Sequence, residues 1–318
     1  MATKEGKVAV MSKKTDAIDQ GRVTDSNQED NLQLGRRDLL RMGALGAAGL
    51  AGAAALGVQP SKVNAQTGRS GKRRVVILAD AKTHMMPALA LEMVSRDHDL
   101  VLGDAEDGLA DELRSLGAKV EVVPNTADQT KPDTIQKLVD RAMGAFGHFD
   151  SACIRTGTHG TGGILESTAK DCQIQYEGNF RSVFYALKAL LPPLVEQKSG
   201  QVVINTSAAG VRVQDWFALY GATRAGANAL IQAAGLEVAP HGVTVNGTGT
   251  YAMNYPSFLH DIGADTDPAK IKAVTDQLPM RKLCEPEEAA YFVASLIDGH
   301  GTFQTAQFFA IDGGWSFM

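Results

Sequence analysis

The sequence is poor in cysteine and tryptophan, with 3 Cys and 2 Trp among 318 residues. Cys153, Cys172 and Cys284 show neither CxxC nor Cys/His spacing, which excludes a disulfide scaffold and a zinc site and predicts buried thiols. Beyond residue 60 the chain lacks an apolar run long enough to span a membrane. The 33 Gly follow no period of three and 44% of the residues are hydrophobic, which excludes collagen-like and disordered classes.

The first 65 residues have the composition of a targeting segment. Arg36 and Arg37 lie shortly before residues 42–58, which are almost entirely Ala, Gly and Leu. Residues 63–65 supply the small side chains that a signal peptidase reads. The segment is similar to a twin-arginine export signal, with Gly35 where that pattern usually has Ser or Thr. A membrane anchor or a surface helix is the alternative. We expect an exported, periplasmic protein with a leader at 1–65, a linker at 66–73 and one catalytic domain at 74–318.

Excess basic charge is also missing from the main body of the chain. Without residues 1–65, 22 Lys and Arg face 29 Asp and Glu, so no nucleic-acid partner is expected. His98, His148, His241 and His300 lack metal-ligand spacing and are predicted to be surface residues. The sequence therefore predicts no metal site.

From residue 74 onward, short β-branched runs alternate with helix-length amphipathic segments, which is typical of a parallel sheet. The predicted strands are residues 75–79, 100–103, 120–123, 151–154, 201–205, 243–247 and 307–311. Predicted helices include residues 87–96, with Pro in the first turn, and 133–146. Strands this short and apolar are buried on both faces. The fold class predicted is α/β, a doubly wound Rossmann-like three-layer sandwich with a seven-stranded parallel sheet.

Three side chains form the candidate catalytic group. Ser207 follows the fifth predicted strand, and Tyr220 and Arg224 lie one helical turn apart on one face of the next helix. A fixed positive charge stabilises a phenolate, so Tyr220 is a candidate base and Ser207 a candidate hydrogen-bond donor to the substrate oxygen.

Over residues 74–318 the chain resembles the short-chain dehydrogenase/reductase superfamily. The shared motifs, in order along the chain, are residues 146–150 (FGHFD), Asn179, Ser207 with Tyr220, residues 245–246 (VN), residues 285–289 (EPEEA) and residues 312–314 (DGG). The resemblance implies assembly as a homotetramer or a dimer. It also suggests that Trp315 and Phe317 pack on a neighbouring subunit.

The glycine-rich turn that receives the dinucleotide pyrophosphate in that superfamily is absent. The matching stretch, residues 79–86 (ADAKTHMM), contains no glycine, and Asp80, His84 and Met86 fill the three glycine positions. The family's Asn-Asn-Ala-Gly motif reads Ile-Arg-Thr-Gly at residues 154–157, and its catalytic Lys is Arg224. These departures predict that the protein binds no cofactor.

The remaining Ser-Tyr-Arg triad is similar to that of the halohydrin dehalogenases, a cofactor-free branch of the superfamily. That resemblance implies a lyase: Tyr220 takes the hydroxyl proton of a vicinal halohydrin, Ser207 holds the oxygen, and the alkoxide displaces the halide to form an epoxide. Arg224 would favour the tyrosinate. The reverse reaction opens the epoxide with a small anion.

The same resemblance suggests where a halide and a substrate would lie. The loop at residues 249–256 is similar to the dehalogenase halide loop, so His84, Tyr251 and Ala252 are the candidate halide-binding residues. His84, if charged, would attract an anion. Trp216 and Phe258 are candidate walls of the substrate pocket.

Two alternative functions remain open on the sequence alone. One is a nicotinamide-dependent dehydrogenase or reductase with a rearranged cofactor site, and the other is a non-catalytic binding protein. Asn179 is either part of a proton relay or the partner of an irregular helix backbone. Asp104, at the end of the second strand, is expected to be a solvated loop residue or a relic of ribose binding.

Overall fold

The computed structural model describes residues 73–265 and 267–318. The predicted leader and nearly all of the predicted linker lie outside the described residues, so the export signal and the domain boundaries stay predictions. No helix of the described residues is long and apolar enough to cross a membrane. The same residues contain no group of three or more His, Cys, Asp or Glu placed to hold a metal ion.

Seven parallel strands form one sheet in the order β3-β2-β1-β4-β5-β6-β7. The strands are β1 Arg74–Ala79, β2 His98–Gly103, β3 Val120–Val123, β4 Ser151–Arg155, β5 Gly200–Asn205, β6 Val243–Thr250 and β7 Phe308–Ile311. The predicted fold class, a seven-stranded doubly wound α/β sandwich, is confirmed. All seven predicted strands are present, and β6 runs three residues further than predicted.

Helices cover both faces of the sheet. They are α1 Met86–Ser95, α2 Leu109–Ser115, α3 Thr134–Phe146, α4 Ala169–Tyr176, α5 Ser182–Gln197, α6 Ala218–Val238, α7 Pro256–Asp261, α8 Ala269–Thr275 and α9 Pro286–Ile297. Two separate apolar cores result from the alternation of side chains along each strand. In β1, Val75 and Ile77 pack toward α3, α5 and α6, whereas Val76 and Leu78 pack toward α1 and α9.

The strand order reverses between β1 and β4, which are neighbours in the sheet. In doubly wound sheets, ligands bind in the crevice beyond the carboxyl ends of the strands at this switch point. We call this region, between the loop after β1 (residues 80–85) and the ends of β4, β5 and β6, the crevice. It is where a functional site is expected.

Two predictions about buried and exposed residues need correction. His98, predicted on the surface, is buried at the start of β2, where its Nδ1 lies 2.8 Å from the Arg96 carbonyl oxygen. Of the three thiols predicted to be buried, Cys153 is buried, Cys284 is half-buried and Cys172 is exposed. Cys153 lies in the buried strand β4, and this burial raises the pKa of its thiol to about 12.

Candidate active site

Ser207, Tyr220 and Arg224 are all buried beside the carboxyl end of β5. Ser207 follows β5 directly, and its Oγ accepts a hydrogen bond from the Ala209 amide at 3.2 Å. Tyr220 and Arg224 lie one turn apart near the start of α6, and they are 8% and 4% exposed. The guanidinium carbon of Arg224 lies 5.1 Å from the centroid of the Tyr220 ring.

Two glycines bring the turn after Ser207 close to α6. A Cβ added to Gly210 would lie 2.9 Å from the carbonyl carbon of Arg224. A Cβ added to Gly221 would lie 3.2 Å from the carbonyl oxygen of Ala209. Because larger residues would force the two backbones apart, these glycines hold the segment that carries Ser207 against the helix that carries Tyr220.

Arg224 is a buried cation that has no acidic partner among the residues described. Its Nη1 donates to Thr156 Oγ1 at 3.5 Å. Within the described part of the chain, no carboxylate lies within 4.0 Å of the guanidinium, and Nε has no hydrogen-bond partner. The opposite face of the group lies against the backbone of Gly157. The positive charge of Arg224 is therefore free to act on Tyr220.

The ring of Tyr220 contacts Phe217 and His159, with centroid distances of 5.3 and 5.4 Å. His159 belongs to the loop after β4, and its Nδ1 lies 4.0 Å from a carboxylate oxygen of Asp261 in α7. A cavity of about 340 Å³ opens beside Tyr220 and is lined by Gln175 and other polar residues of this loop and α4. His159 was not predicted as a site residue, because a lone histidine in a loop has no distinguishing spacing.

Asn179 lies in a π-helical turn, Glu177–Arg181, between α4 and α5. Its side-chain oxygen accepts from the Thr158 amide at 2.9 Å, and its amide donates to Gln175 Oε1 and to Thr223 Oγ1 at 2.8 and 3.2 Å. One of the two roles predicted for Asn179 involved an irregular helix, and the helix is indeed irregular at this residue. Asn179 ties the loop after β4 to α4 and α6, and a role in proton relay remains a prediction.

The loop after β1 keeps a glycine-like backbone although it contains no glycine. Asp80 and His84 have φ angles of 61° and 60°, in the left-handed region that glycine usually occupies. Arg155, at the end of β4, donates to Asp80 Oδ2 at 2.8 Å, and Thr83 Oγ1 donates to the same oxygen at 2.9 Å. The sequence did not predict this ion pair, because its members lie 75 residues apart.

His84 is buried and neutral at physiological pH. Burial, and then the positive charges of Arg155 and Arg224, lower the pKa of His84 to about 3. Its Nε2 lies 3.0 Å from Thr250 Oγ1, and its ring packs edge-on against Tyr255 at 5.0 Å. Its Nδ1 has no hydrogen-bond partner within the described part of the chain. The predicted role of a charged His84 as an anion attractor is therefore not available near neutral pH.

The lowered pKa of His84 makes folding stability depend on pH. In the unfolded chain the imidazole takes up a proton below about pH 6.5, but in the folded protein it does so only near pH 3, so stability falls as the pH drops between these values. We expect the free energy of unfolding to be about 2 kcal/mol lower at about pH 5 than at about pH 7 from this residue alone.

Urea unfolding at the two pH values, on the wild type and on His84→Asn, measures this contribution. Asparagine tolerates the left-handed backbone, and other titrating groups cancel in the comparison. The loss between the two pH values should shrink by about 2 kcal/mol in His84→Asn. An equal loss in both proteins would contradict the pKa shift.

Among the described residues, no hydrogen bond or ring contact joins His84 to Tyr251 or Ala252, the other candidate halide residues. The Tyr251 amide donates to the Ile311 carbonyl in the pairing with β7. The Tyr251 ring stacks on Trp315 at 4.2 Å, and burial raises the pKa of its phenol. No direct contact among the described residues joins His84 to the other two, and their grouping as a halide site stays a prediction.

The predicted substrate walls lie on separate elements. Trp216 is 50% exposed and stacks on Phe217 at 4.5 Å, whereas Phe258 lies in α7 and stacks near Tyr255 at 6.3 Å. Trp315, predicted to pack on a neighbouring subunit, is instead buried within this chain. Phe317 is exposed.

Comparison with known proteins decides the family. A sequence profile described as Enoyl-(Acyl carrier protein) reductase matches residues 86–316, well over half of the chain. The chain belongs to the short-chain dehydrogenase/reductase superfamily. Within this superfamily it is similar to 2,5-dichloro-2,5-cyclohexadiene-1,4-diol dehydrogenase of Sphingobium indicum, with 27% identity over 76% of this chain and 96% of the relative.

One further relative and one solved structure are also similar to this chain. The 2-keto-3-deoxy-L-fuconate dehydrogenase of Xanthomonas campestris is 28% identical over 77% of this chain and 80% of its own length. The solved structure of ElxO with NADP bound superposes with a TM-score of 0.69 at 18% identity, covering 77% of this chain and 100% of ElxO. The likeness to ElxO shows the fold alone.

These relationships correct the predicted activity. The family profile describes a reductase, and the curated relatives are dehydrogenases, so the prediction of a halohydrin dehalogenase, a lyase, is wrong. The alternative, an atypical nicotinamide-dependent oxidoreductase, is the one that the relatives support. The missing glycines predict loss of the cofactor, whereas the glycine-like backbone at Asp80 and His84 shows that the turn persists without them.

The superfamily implies a nicotinamide dinucleotide in the crevice, and the side chains present do not fit it in the arrangement seen. The Asp80–Arg155 ion pair joins the end of β1 to the end of β4 where the pyrophosphate would pass. Asp104, where the ribose would bind, accepts from the Asn125 and Thr126 amides at 2.7 and 2.6 Å. These bonds outweigh burial and lower the pKa of Asp104, which therefore has a structural role and is not a free loop residue.

Proposed function

We propose that the protein is an oxidoreductase that interconverts an alcohol and the corresponding carbonyl compound, with a nicotinamide dinucleotide as redox partner. The observation that carries the proposal is the buried Tyr220 phenol beside the guanidinium of Arg224, next to the strand end that carries Ser207. Membership of the superfamily and the names of the relatives support the reaction class.

Each of the three residues has one task in this reaction. In the reductive direction, Tyr220 gives its hydroxyl proton to the carbonyl oxygen of the substrate, and Ser207 donates a hydrogen bond to the same oxygen. Arg224 stabilises the negative charge left on the Tyr220 oxygen. In the oxidative direction the same groups hold the alcohol and remove its proton. All three tasks concern the substrate oxygen and the tyrosine proton. They do not involve Asp80 and Arg155, the ion pair that bridges the crevice.

The cavity beside Tyr220 supports a polar substrate. Its lining includes Gln175, Ser167 and Thr161, which offer amide and hydroxyl groups, together with Glu166. Hydrogen-bonding groups of this kind favour a hydroxylated substrate over a purely aliphatic one. Export by the twin-arginine route and assembly as a homotetramer stay proposals from the sequence.

The test is turnover by the full chain with NADH and with NADPH. Cyclic diols and polyhydroxylated ketones form the substrate panel, and the product is identified by mass spectrometry. We expect conversion of at least one panel member to depend on one dinucleotide, with one mole of dinucleotide consumed per mole of product. Conversion of a panel member at the same rate without any dinucleotide would contradict the proposal.

A further inference from the structure

The crevice is bridged by a cluster that we call the latch, in which the Asp80–Arg155 ion pair also takes a hydrogen bond from Thr83. Both hydrogen bonds of the latch converge on one carboxylate oxygen, Asp80 Oδ2, from Arg155 at 2.8 Å and from Thr83 at 2.9 Å. Asp80 follows β1 and Arg155 ends β4, so the pair spans the point where the strand order reverses. A ligand that lies across the sheet at this point must separate them.

We propose that the latch is an autoinhibitory contact in which the Asp80 carboxylate occupies Arg155 and thereby competes with the pyrophosphate of a dinucleotide. The inference rests on the proposed function, because it names the group that regulates access to the same crevice. It explains why a member of a superfamily that uses dinucleotides has an ion pair across the crevice where the dinucleotide would bind.

The charges around the latch favour an anion once Asp80 is neutralised. Asp80 is the only carboxylate of the described residues within 4.0 Å of Arg155, and none lies within that distance of Arg224. The charges of both arginines act on His84, which lies in the loop after β1 and contacts Thr250 at the end of β6. Removing one negative charge therefore leaves two guanidinium groups near the crevice without an acidic partner, and guanidinium groups bind phosphate oxygens strongly.

Opening the latch requires movement of side chains and not of the loop. The loop is fixed to β2, because the Ala81 amide donates to the Gly103 carbonyl at 2.7 Å and the Glu106 amide donates to the Ala81 carbonyl at 3.1 Å. A Cβ added to Gly103 would lie 3.4 Å from the Asp80 amide, which shows how closely the two backbones approach. Asparagine tolerates left-handed backbone as well as aspartate does, so Asp80→Asn removes the charge and preserves the turn.

Calorimetric titration of NADPH, NADH and inorganic pyrophosphate into the full chain tests the latch. We expect Asp80→Asn to bind the dinucleotide at least about tenfold more tightly than the wild type, which corresponds to about 1.4 kcal/mol. Glu237→Gln is the matched control, because it removes one exposed carboxylate on α6, thirteen residues beyond Arg224 and about 20 Å along the helix. The control should bind as the wild type does.

The Arg155→Gln variant separates the latch from simple charge repulsion. If Asp80 acts by occupying Arg155, the gain from Asp80→Asn should disappear when Arg155→Gln is added, leaving affinity within about twofold of the wild type. Persistence of the full gain without Arg155 would overturn the proposal, and so would unchanged affinity in Asp80→Asn. Asp80→Gly serves as a second variant, with thermal melting followed by circular dichroism to show that each protein is folded.

Failure of the latch and failure of the proposed function give different results. Tight dinucleotide binding by Asp80→Asn without any turnover would leave the latch intact and contradict the oxidoreductase. Dinucleotide-dependent turnover by the wild type, with no gain in affinity from Asp80→Asn, would support the oxidoreductase and contradict the latch.

Discussion

Replacing Tyr220 by phenylalanine should lower kcat/KM by about a thousandfold while the protein remains as stable as the wild type. The loss corresponds to about 4 kcal/mol of transition-state stabilisation, because the variant has no hydroxyl proton to give to the substrate oxygen. Stability should not change, since the ring is retained and its contacts with Phe217 and His159 are made by the ring itself. The measurements are steady-state kinetics and urea unfolding.

Tyr176→Phe is the control for this substitution. Tyr176 lies at the end of α4, is 42% exposed and stacks on Phe180, so loss of its hydroxyl should change neither activity nor stability. A Tyr220→Phe enzyme that keeps more than about a tenth of wild-type kcat/KM would remove Tyr220 from the proton transfer. The same result would leave the fold assignment untouched.

The fold was predictable because its signals are local. Each strand contains a short stretch rich in apolar or β-branched residues, and the alternation of strands with helical segments already indicates a parallel sheet. The spacing of Tyr220 and Arg224 places them on one face of a helix regardless of the rest of the chain. The largest error in a strand boundary is at β6, which continues through Gly247 and Gly249; glycines weaken a strand pattern, although both residues pair with β7.

Contacts between distant residues could not be predicted. The latch joins residues 75 apart, and the Tyr251 amide is used by β7, whose pairing with β6 was not specified by the sequence pattern. His98 was misplaced for the same reason, since its burial at the start of β2 depends on the tertiary packing around it. Sequence spacing carries no information about such pairs.

The turn after β1 shows a different limit. Its residue types contain no glycine, yet Asp80 and His84 adopt the left-handed conformation for which glycine is usually selected. Aspartate and histidine are among the residues that tolerate this conformation better than most. Residue identity therefore does not determine the path of the backbone here, and the absence of glycine did not exclude a dinucleotide superfamily.

Replacing Gly157 by alanine should destabilise the protein by about 3 to 5 kcal/mol and displace Arg224. The added methyl would lie 1.7 Å from Nη2 and 2.3 Å from Cζ of Arg224, and the φ angle of 123° disfavours any residue with a side chain. Arg224 is buried, and Thr156 is its only side-chain hydrogen-bond partner among the residues described, so a displaced guanidinium has little to bind. Activity should fall with the loss of its charge beside Tyr220.

Gly162→Ala separates backbone strain from collision. Gly162 lies in the same loop with a φ angle of 145°, but nothing lies within 4 Å of its added Cβ, so this variant should lose only about 1 to 3 kcal/mol. Equal losses of unfolding free energy in the two variants would show that the Arg224 guanidinium does not lie against Gly157. Adding Arg224→Gln to Gly157→Ala should restore part of the stability, because glutamine lacks the three guanidinium atoms that the methyl would strike.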